Sequence, residues 1–108
     1  MNGKVRRLFV YIVHPYRNDP EGNRLKVKCI CRRLVSQHPD VVPIAPQLIL
    51  KDIMEDDCAP DAQLLAFELC RSLMLRCNEV WVYGDTSEGC QEDIAYAIAS
   101  RLPVILKC

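Results

Sequence analysis

No apolar run in the 108-residue sequence reaches the roughly 18 to 20 residues that a membrane span needs. The longest apolar-rich stretch, Val41 to Leu50, is interrupted by Pro43 and Pro46, so a soluble protein is expected. Net charge is also missing: 14 Lys and Arg cancel 14 Asp and Glu. That balance excludes attachment to nucleic acid or an anionic membrane through bulk charge and leaves room only for a small local anion site. The seven cysteines are an odd number, and with half of the residues hydrophobic the core needs no staples. A disulfide framework is therefore not expected, and the thiols read as reduced and cytoplasmic. The apolar run Leu8 to Val13 is short, ends in His14-Pro15 and has no small-residue cleavage site, so no secretory leader is expected. The G-x-G-x-x-G fingerprint and the phosphate-loop signature are both absent. Cys29-x-Cys31 has no second Cys or His pair at zinc-site spacing, and two helical positions apart its side chains point about 200° apart. Neither a metal nor a cofactor is expected. There is no repeat, low-complexity segment or linker, and a single domain spanning residues 1–108 follows.

What is present alternates. Leu8 to Val13 is continuous, rich in β-branched and aromatic residues, and reads as a strand buried on both faces. A polar loop, Tyr16 to Asn23, leads to a helix with Val27, Ile30, Cys31, Leu34 and Val35 on one face and Lys26, Lys28, Arg32 and Arg33 on the other, ending near His38-Pro39. Val41 to Ala45 reads as a strand that its internal Pro43 demotes towards a sheet edge. Pro46 to Asp57 is expected to connect, with a helical turn at Leu48 to Met54, and Ala62 to Cys77 is expected to form a long, well-buried helix opened by Pro60-Asp61. Glu79 to Tyr83 predicts a third strand. A helix striped by Ile94, Ala97, Ile98 and Leu102 follows, then a last strand, Pro103 to Leu106. Strands separated by helices, with no tight hairpin, predict an α/β fold: a flavodoxin- or Rossmann-like three-layer sandwich whose four- to five-stranded, mainly parallel sheet has the order 2-1-3-4.

In such a sheet ligands bind outside the carboxyl ends of the strands where the order reverses, here between the first and third strands. The loops His14 to Asp19 and Gly84 to Gly89 meet that description. Ser87 or Thr86 can cap the following helix, and Gly89 lets a ligand approach the backbone, so N–H groups there can hold an anion or a sugar hydroxyl; the plain alternative is a simple cap. Asp93 falls with Cys90 and Ala97 on the border of the sheet-facing stripe. It is either a functional carboxylate or, with Glu88 and Glu92, a complement to the helix dipole. His14 is either a general acid or base or a strand-end histidine satisfied by backbone. Arg17 can take a phosphate or carboxylate in bidentate fashion or be an ordinary surface arginine, and Tyr16 offers a ring and a hydroxyl to a base or sugar. Cys70, Cys77 and Cys90 read as small core residues.

The stretch Ser87-x-Gly89-x-x-x-Asp93-Ile94-Ala95-Tyr96-Ala97, followed by Leu102-Pro103-Val104-Ile105, resembles the nucleoside 2-deoxyribosyltransferase superfamily. So do Val10-Tyr11-Ile12-Val13-His14-Pro15-Tyr16-Arg17, Pro43-Ile44-Ala45-Pro46 and Cys77-Asn78-Glu79-Val80-Trp81-Val82-Tyr83-Gly84, which are most similar to its small bacterial and phage-borne members. The resemblance implies chemistry on N-glycosidic bonds, in which a helix-borne carboxylate attacks C1′ of a 2′-deoxynucleoside or its 5′-monophosphate and the deoxyribosyl group passes to another base or to water. It puts Asp93 at the nucleophile, one methylene shorter than the family's Glu, with Glu68 the nearest counterpart of the assisting acid. It puts Ser87 and Gly89 along the sugar, Arg17 near any phosphate, and His14, Tyr16 and Asp85 around the pocket. His14 and Gln47 depart from the relatives, which carry a small residue and often His. The implied partner is a nucleoside or nucleotide, and by analogy the protein is a homo-oligomer. Three functions remain open: this enzyme, a nucleotide or nucleotide-sugar binding module that keeps the pocket without the chemistry, or a small interaction protein whose polar loops are only caps and turns.

Overall fold

A computed structural model describes residues 6–54, 60–84 and 88–107, with 51, 52 and 88 described in backbone only. The elements run β1 (Leu8–Val13), α1 (Pro20–Gln37), β2 (Val41–Ile44), α2 (Pro46–Met54), α3 (Pro60–Leu75), β3 (Glu79–Val82), α4 (Glu88–Ala99) and β4 (Val104–Leu106). The four strands form one sheet in the order β2-β1-β3-β4, and every neighbouring pair is parallel. This is the expected Rossmann-like architecture, with four strands.

β1 is central, and Val10, Tyr11, Ile12 and Val13 are all buried, as its unbroken apolar run requires. Its side chains alternate between two cores. Val10 and Ile12 join Val27 and Leu34 of α1 with Val41, Trp81 and Tyr83 on one face. Tyr11 and Val13 join Met74 of α3 and Cys90 and Ala97 of α4 with Val80 and Val82 on the other. β2 lies at the edge, where Pro43, paired in register with Val10, has no neighbour on its outer side to miss an N–H.

Four expectations need correction. α1 starts at Pro20, inside the segment expected to be loop, because the Asp19 carboxylate accepts from the Gly22 N–H at 3.2 Å and proline at the first turn needs no partner for a missing donor. Pro46–Met54 is a nine-residue helix rather than a connection with one turn. α3 is not well buried. Only Ala62 and Met74 are enclosed, while Leu64, Leu65, Phe67, Leu69 and Leu75 are exposed, because α3 packs mainly on α2 and reaches the sheet core chiefly through Leu73 and Met74. Ile98 of α4, expected in the buried stripe, is exposed as well. Among the described residues no helix is long and apolar enough to cross a membrane.

Candidate functional site

The carboxyl ends of β1 and β3 lie side by side. The Tyr83 N–H donates to the Val13 carbonyl at 2.9 Å, and the chain then turns away from each strand in a different direction. Gly84 makes the turn after β3 with φ of +77°, a left-handed conformation that costs an L side chain about 1 kcal/mol or more. A Cβ at this position would also lie 3.2 Å from Pro15 Cδ and 3.5 Å from His14 Nε2. Glycine is what allows the two loops to touch.

The loop after β1 is fixed by two buried amides. Gln47, at the start of α2, donates from Nε2 to the carbonyls of His14 at 3.0 Å and Pro15 at 3.1 Å. Because carbonyl oxygens only accept, the amide must face them with its nitrogen, and its Oε1 is left buried without a partner. Asn23 of α1 donates from Nδ2 to the Tyr16 carbonyl at 3.2 Å and to Asn18 Oδ1 at 2.6 Å. His14 in turn donates from Nδ1 to the Pro15 carbonyl at 2.8 Å. That bond places a proton on Nδ1 and turns Nε2 towards Gly84. One ring nitrogen of His14 is thus bonded to backbone, and the other faces the Gly84 turn. A shallow hollow of about 370 Å³ beside it is lined by His14, Leu25, Lys26, Cys29, Ile30 and Arg33. A hollow of about 420 Å³ lies elsewhere along α1, at Cys31, Arg32, Val35 and Ser36, away from the strand ends.

The second cluster sits over the opposite face of β1. Asp93 projects from α4 into a half-buried position. Burial raises its pKa to about 6, Glu92 adds to the rise, and the Arg71 guanidinium opposes it. Among the described residues no hydrogen bond or ion pair reaches the carboxylate. Arg71 comes from α3 and is held by stacking, its guanidinium carbon 4.4 Å from the Phe67 ring centroid and 4.0 Å from that of Tyr96 on α4. Its Nε is buried and has no partner. Tyr11 lies beneath, its hydroxyl pushed above the ordinary tyrosine range by burial and further by Cys70 and Asp93. Tyr11 of β1 is three residues before His14, which follows the end of the strand, so the two clusters are roughly 10 Å apart along the strand direction.

The expected residues divide accordingly. Asp93 is in the second cluster and His14 in the first. Tyr16 is half-buried in the tethered loop, whereas Arg17, Gly89 and Glu68 are exposed. Asp85 and Ser87, with the cap assigned to Ser87 or Thr86, lie outside the described residues. Cys77 and Cys90 are buried core residues as expected, while Cys70 is half-buried. Burial also raises the thiols of Cys31 and Cys77 to about 11, so neither is a ready nucleophile. Asn23, Arg71 and Tyr11 were not among the expected residues. Asn23 alone carried a signal: it stands four residues before Val27, a polar residue on the apolar stripe of α1.

The family model that matches residues 8–107 is described as a domain of unknown function, DUF7768. The chain belongs to this family. No curated protein matches the chain. Among solved structures it is similar to a 2-deoxyribosyltransferase from the psychrotolerant bacterium Bacillus psychrosaccharolyticus, a protein described as a biocatalyst for nucleoside synthesis. The TM-score is 0.63 over 91% of this chain and 70% of that one, at 12% sequence identity. At that identity the likeness establishes a shared fold, a Rossmann-like α/β sheet of the kind found in a 2-deoxyribosyltransferase.

Proposed function

We propose that this protein cleaves or transfers the N-glycosidic bond of a 2′-deoxynucleoside or its 5′-monophosphate, with Asp93 as nucleophile. One observation carries the reading. A half-buried carboxylate with no hydrogen-bond or ion-pair partner among the described residues stands over the central strand of a fold shared with a 2-deoxyribosyltransferase. A carboxylate that served only the helix dipole would gain by full hydration; one partly desolvated, with no partner among the described residues, is poised to bond something else.

In the proposed reaction an Asp93 oxygen bonds to C1′ as the C1′–N bond breaks, and the electron pair leaves with the base, which takes up a proton. Water or a second base then bonds to C1′, the Asp93 ester bond breaks, and the proton of the incoming nucleophile is released. Arg71 keeps Asp93 ionised despite its burial, since an opposite charge nearby favours the charged form. The Tyr11 hydroxyl, held protonated by burial and hydrogen-bonded with Cys70, lies buried beneath Asp93. His14 and Tyr16 are proposed to meet the base or sugar, Ser87 and Gly89 to serve the sugar and Asp85 the pocket as the sequence resemblance implies, and the exposed Arg17 to take any phosphate. Glu68 is proposed as the assisting acid.

The test is incubation with each of the four deoxynucleosides and their monophosphates, with free base followed by chromatography. Base release that falls at least a hundredfold in Asp93→Asn is expected. No release above buffer, or release indifferent to that substitution, overturns the proposal. Ligand-induced stabilisation without release assigns the chain instead to the nucleotide-binding reading.

A further inference from the structure

α1 concentrates positive charge in a molecule that has none overall. Between Pro20 and Gln37, Arg24, Lys26, Lys28, Arg32 and Arg33 stand against a single acid, Glu21, whereas basic and acidic residues balance over the whole chain. These cations do not share one face. Lys26 and Arg33 are seven residues apart, which puts them on one side of the helix, two turns or roughly 10 Å along it, with Cys29 and Ile30 between them.

That side of α1 encloses, with His14, the hollow of about 370 Å³ at the carboxyl end of β1. Leu25 and Ile30 give it an apolar lining, and Lys26 and Arg33 supply its charge. No acidic residue lines it, and among the described residues no ion pair engages either cation. Arg33 is close enough to the end of β3 to act on Tyr83: burial raises the Tyr83 hydroxyl above its ordinary range, Cys31 adds to the rise, and Arg33 opposes it. Long stems let both cations converge on a group seated over the apolar lining between them.

The chemistry of the hollow says what fits it. Its volume is at the lower end of small-molecule pockets. Two uncompensated cations match a dianion better than a single carboxylate. Arg33 can meet a phosphate through two N–H groups, and Lys26 adds a point charge. Leu25, 63% exposed, and Ile30 offer surface to an apolar or planar body. A polyanion fits less well, because it would engage Lys28 and Arg32, which do not line the hollow. α1 and α4 cover opposite faces of the sheet, so this occupant is separate from the group proposed to react at Asp93.

We infer that the hollow between α1 and the end of β1 is a second ligand site, which binds a small phosphate monoester with its phosphate on Lys26 and Arg33 and its body on Leu25 and Ile30. The inference does not depend on the proposed function.

The test is titration of nitrogen-15-labelled protein with phenyl phosphate in roughly 0.15 M salt. This probe has no glycosidic bond and so cannot report on the proposed reaction. Amide shifts at residues 25–33 and at His14 are expected to saturate with a Kd of about 1 mM or below, as an ordinary ligand efficiency gives for a molecule of this size. Lys26→Glu and Arg33→Glu, both at exposed positions, are each expected to raise Kd at least tenfold with an unchanged circular dichroism spectrum. Arg32→Glu, exposed on the same helix but outside the hollow, is expected to leave Kd within about threefold. Inorganic phosphate is expected to bind at least tenfold more weakly, for want of the apolar contact. The inference is overturned by the absence of saturable shifts up to about 10 mM, or by shifts centred on α4. It is equally overturned by inorganic phosphate binding as tightly as the ester, or by Arg32→Glu weakening binding as much as Arg33→Glu, which would make the attraction a diffuse property of the basic helix.

Discussion

Asp93 ties the stability of the protein and its proposed chemistry to the same proton. Its pKa rises from an ordinary 3.8 to about 6 in the folded chain. Between those values the native state keeps a proton that the unfolded chain has released, so the group's contribution to stability is complete below about pH 4 and is lost as pH rises through 6. Asp93→Asn cannot ionise. It is therefore expected to be more stable than the parent at pH 8, by on the order of 1 to 2 kcal/mol once solvent screening of a partly exposed group is allowed for, and equal to it near pH 3.5. Urea unfolding at the two pH values measures the difference, and an Asn variant no more stable at pH 8 contradicts the desolvated carboxylate. Activity runs the other way, needing the ionised form, and is expected to rise with pH through about 6. Asp93 was legible in the sequence because a charged residue on the border of an apolar stripe is conspicuous. Arg71 was not. Helical periodicity shows which residues share a face of α3, but not that α4 would bring Asp93 and Tyr96 against one of them.

α1 shows how one polar side chain on a buried stripe serves a site that lies outside its helix. Asn23 is 4% exposed and donates two hydrogen bonds to the Tyr16–Asn18 turn, which the Asp19 N–H also closes onto the Tyr16 carbonyl at 3.3 Å, while Gln47 of α2 holds His14 and Pro15. Asn23→Ala removes two hydrogen bonds and leaves the Tyr16 carbonyl the 3.3 Å bond from the Asp19 N–H, and is expected to cost about 1 to 3 kcal/mol of unfolding free energy and to loosen the loop. Thermal unfolding together with hydrogen exchange at residues 14–19 checks both parts. A full stability loss with unchanged exchange there would mean that Asn23 serves the core and not the loop. Strand β1 and the edge position of β2 were readable because an unbroken β-branched run and an internal proline each leave few structural choices. The start of α1 was misread because Asn23 and Gly22 look like loop residues until Asp19 is seen to cap them. The exposure of α3 was hidden for a different reason: composition reports that a helix is apolar, not whether its own chain covers it.

For the molecule as a whole, the alternation of strands and helices was enough to yield the 2-1-3-4 parallel sheet, because right-handed crossovers leave few other ways to order it. The zero net charge conceals local structure. Arg71 opposes the desolvation of Asp93 over one face of β1, and Lys26 and Arg33 line the hollow beside His14 on the other. The sheet therefore carries two chemically different clusters on either side of one strand, and the central claim is that the carboxylate cluster forms a bond to a deoxyribosyl carbon. The most direct test is mass spectrometry of the intact protein, quenched in acid during incubation with deoxynucleoside monophosphates, followed by peptide mapping. A mass increase of one 5-phosphodeoxyribosyl unit, mapped to the peptide containing Asp93 and absent from Asp93→Asn, is the predicted result. An unmodified protein during demonstrable base release, or an adduct on another residue, would contradict it.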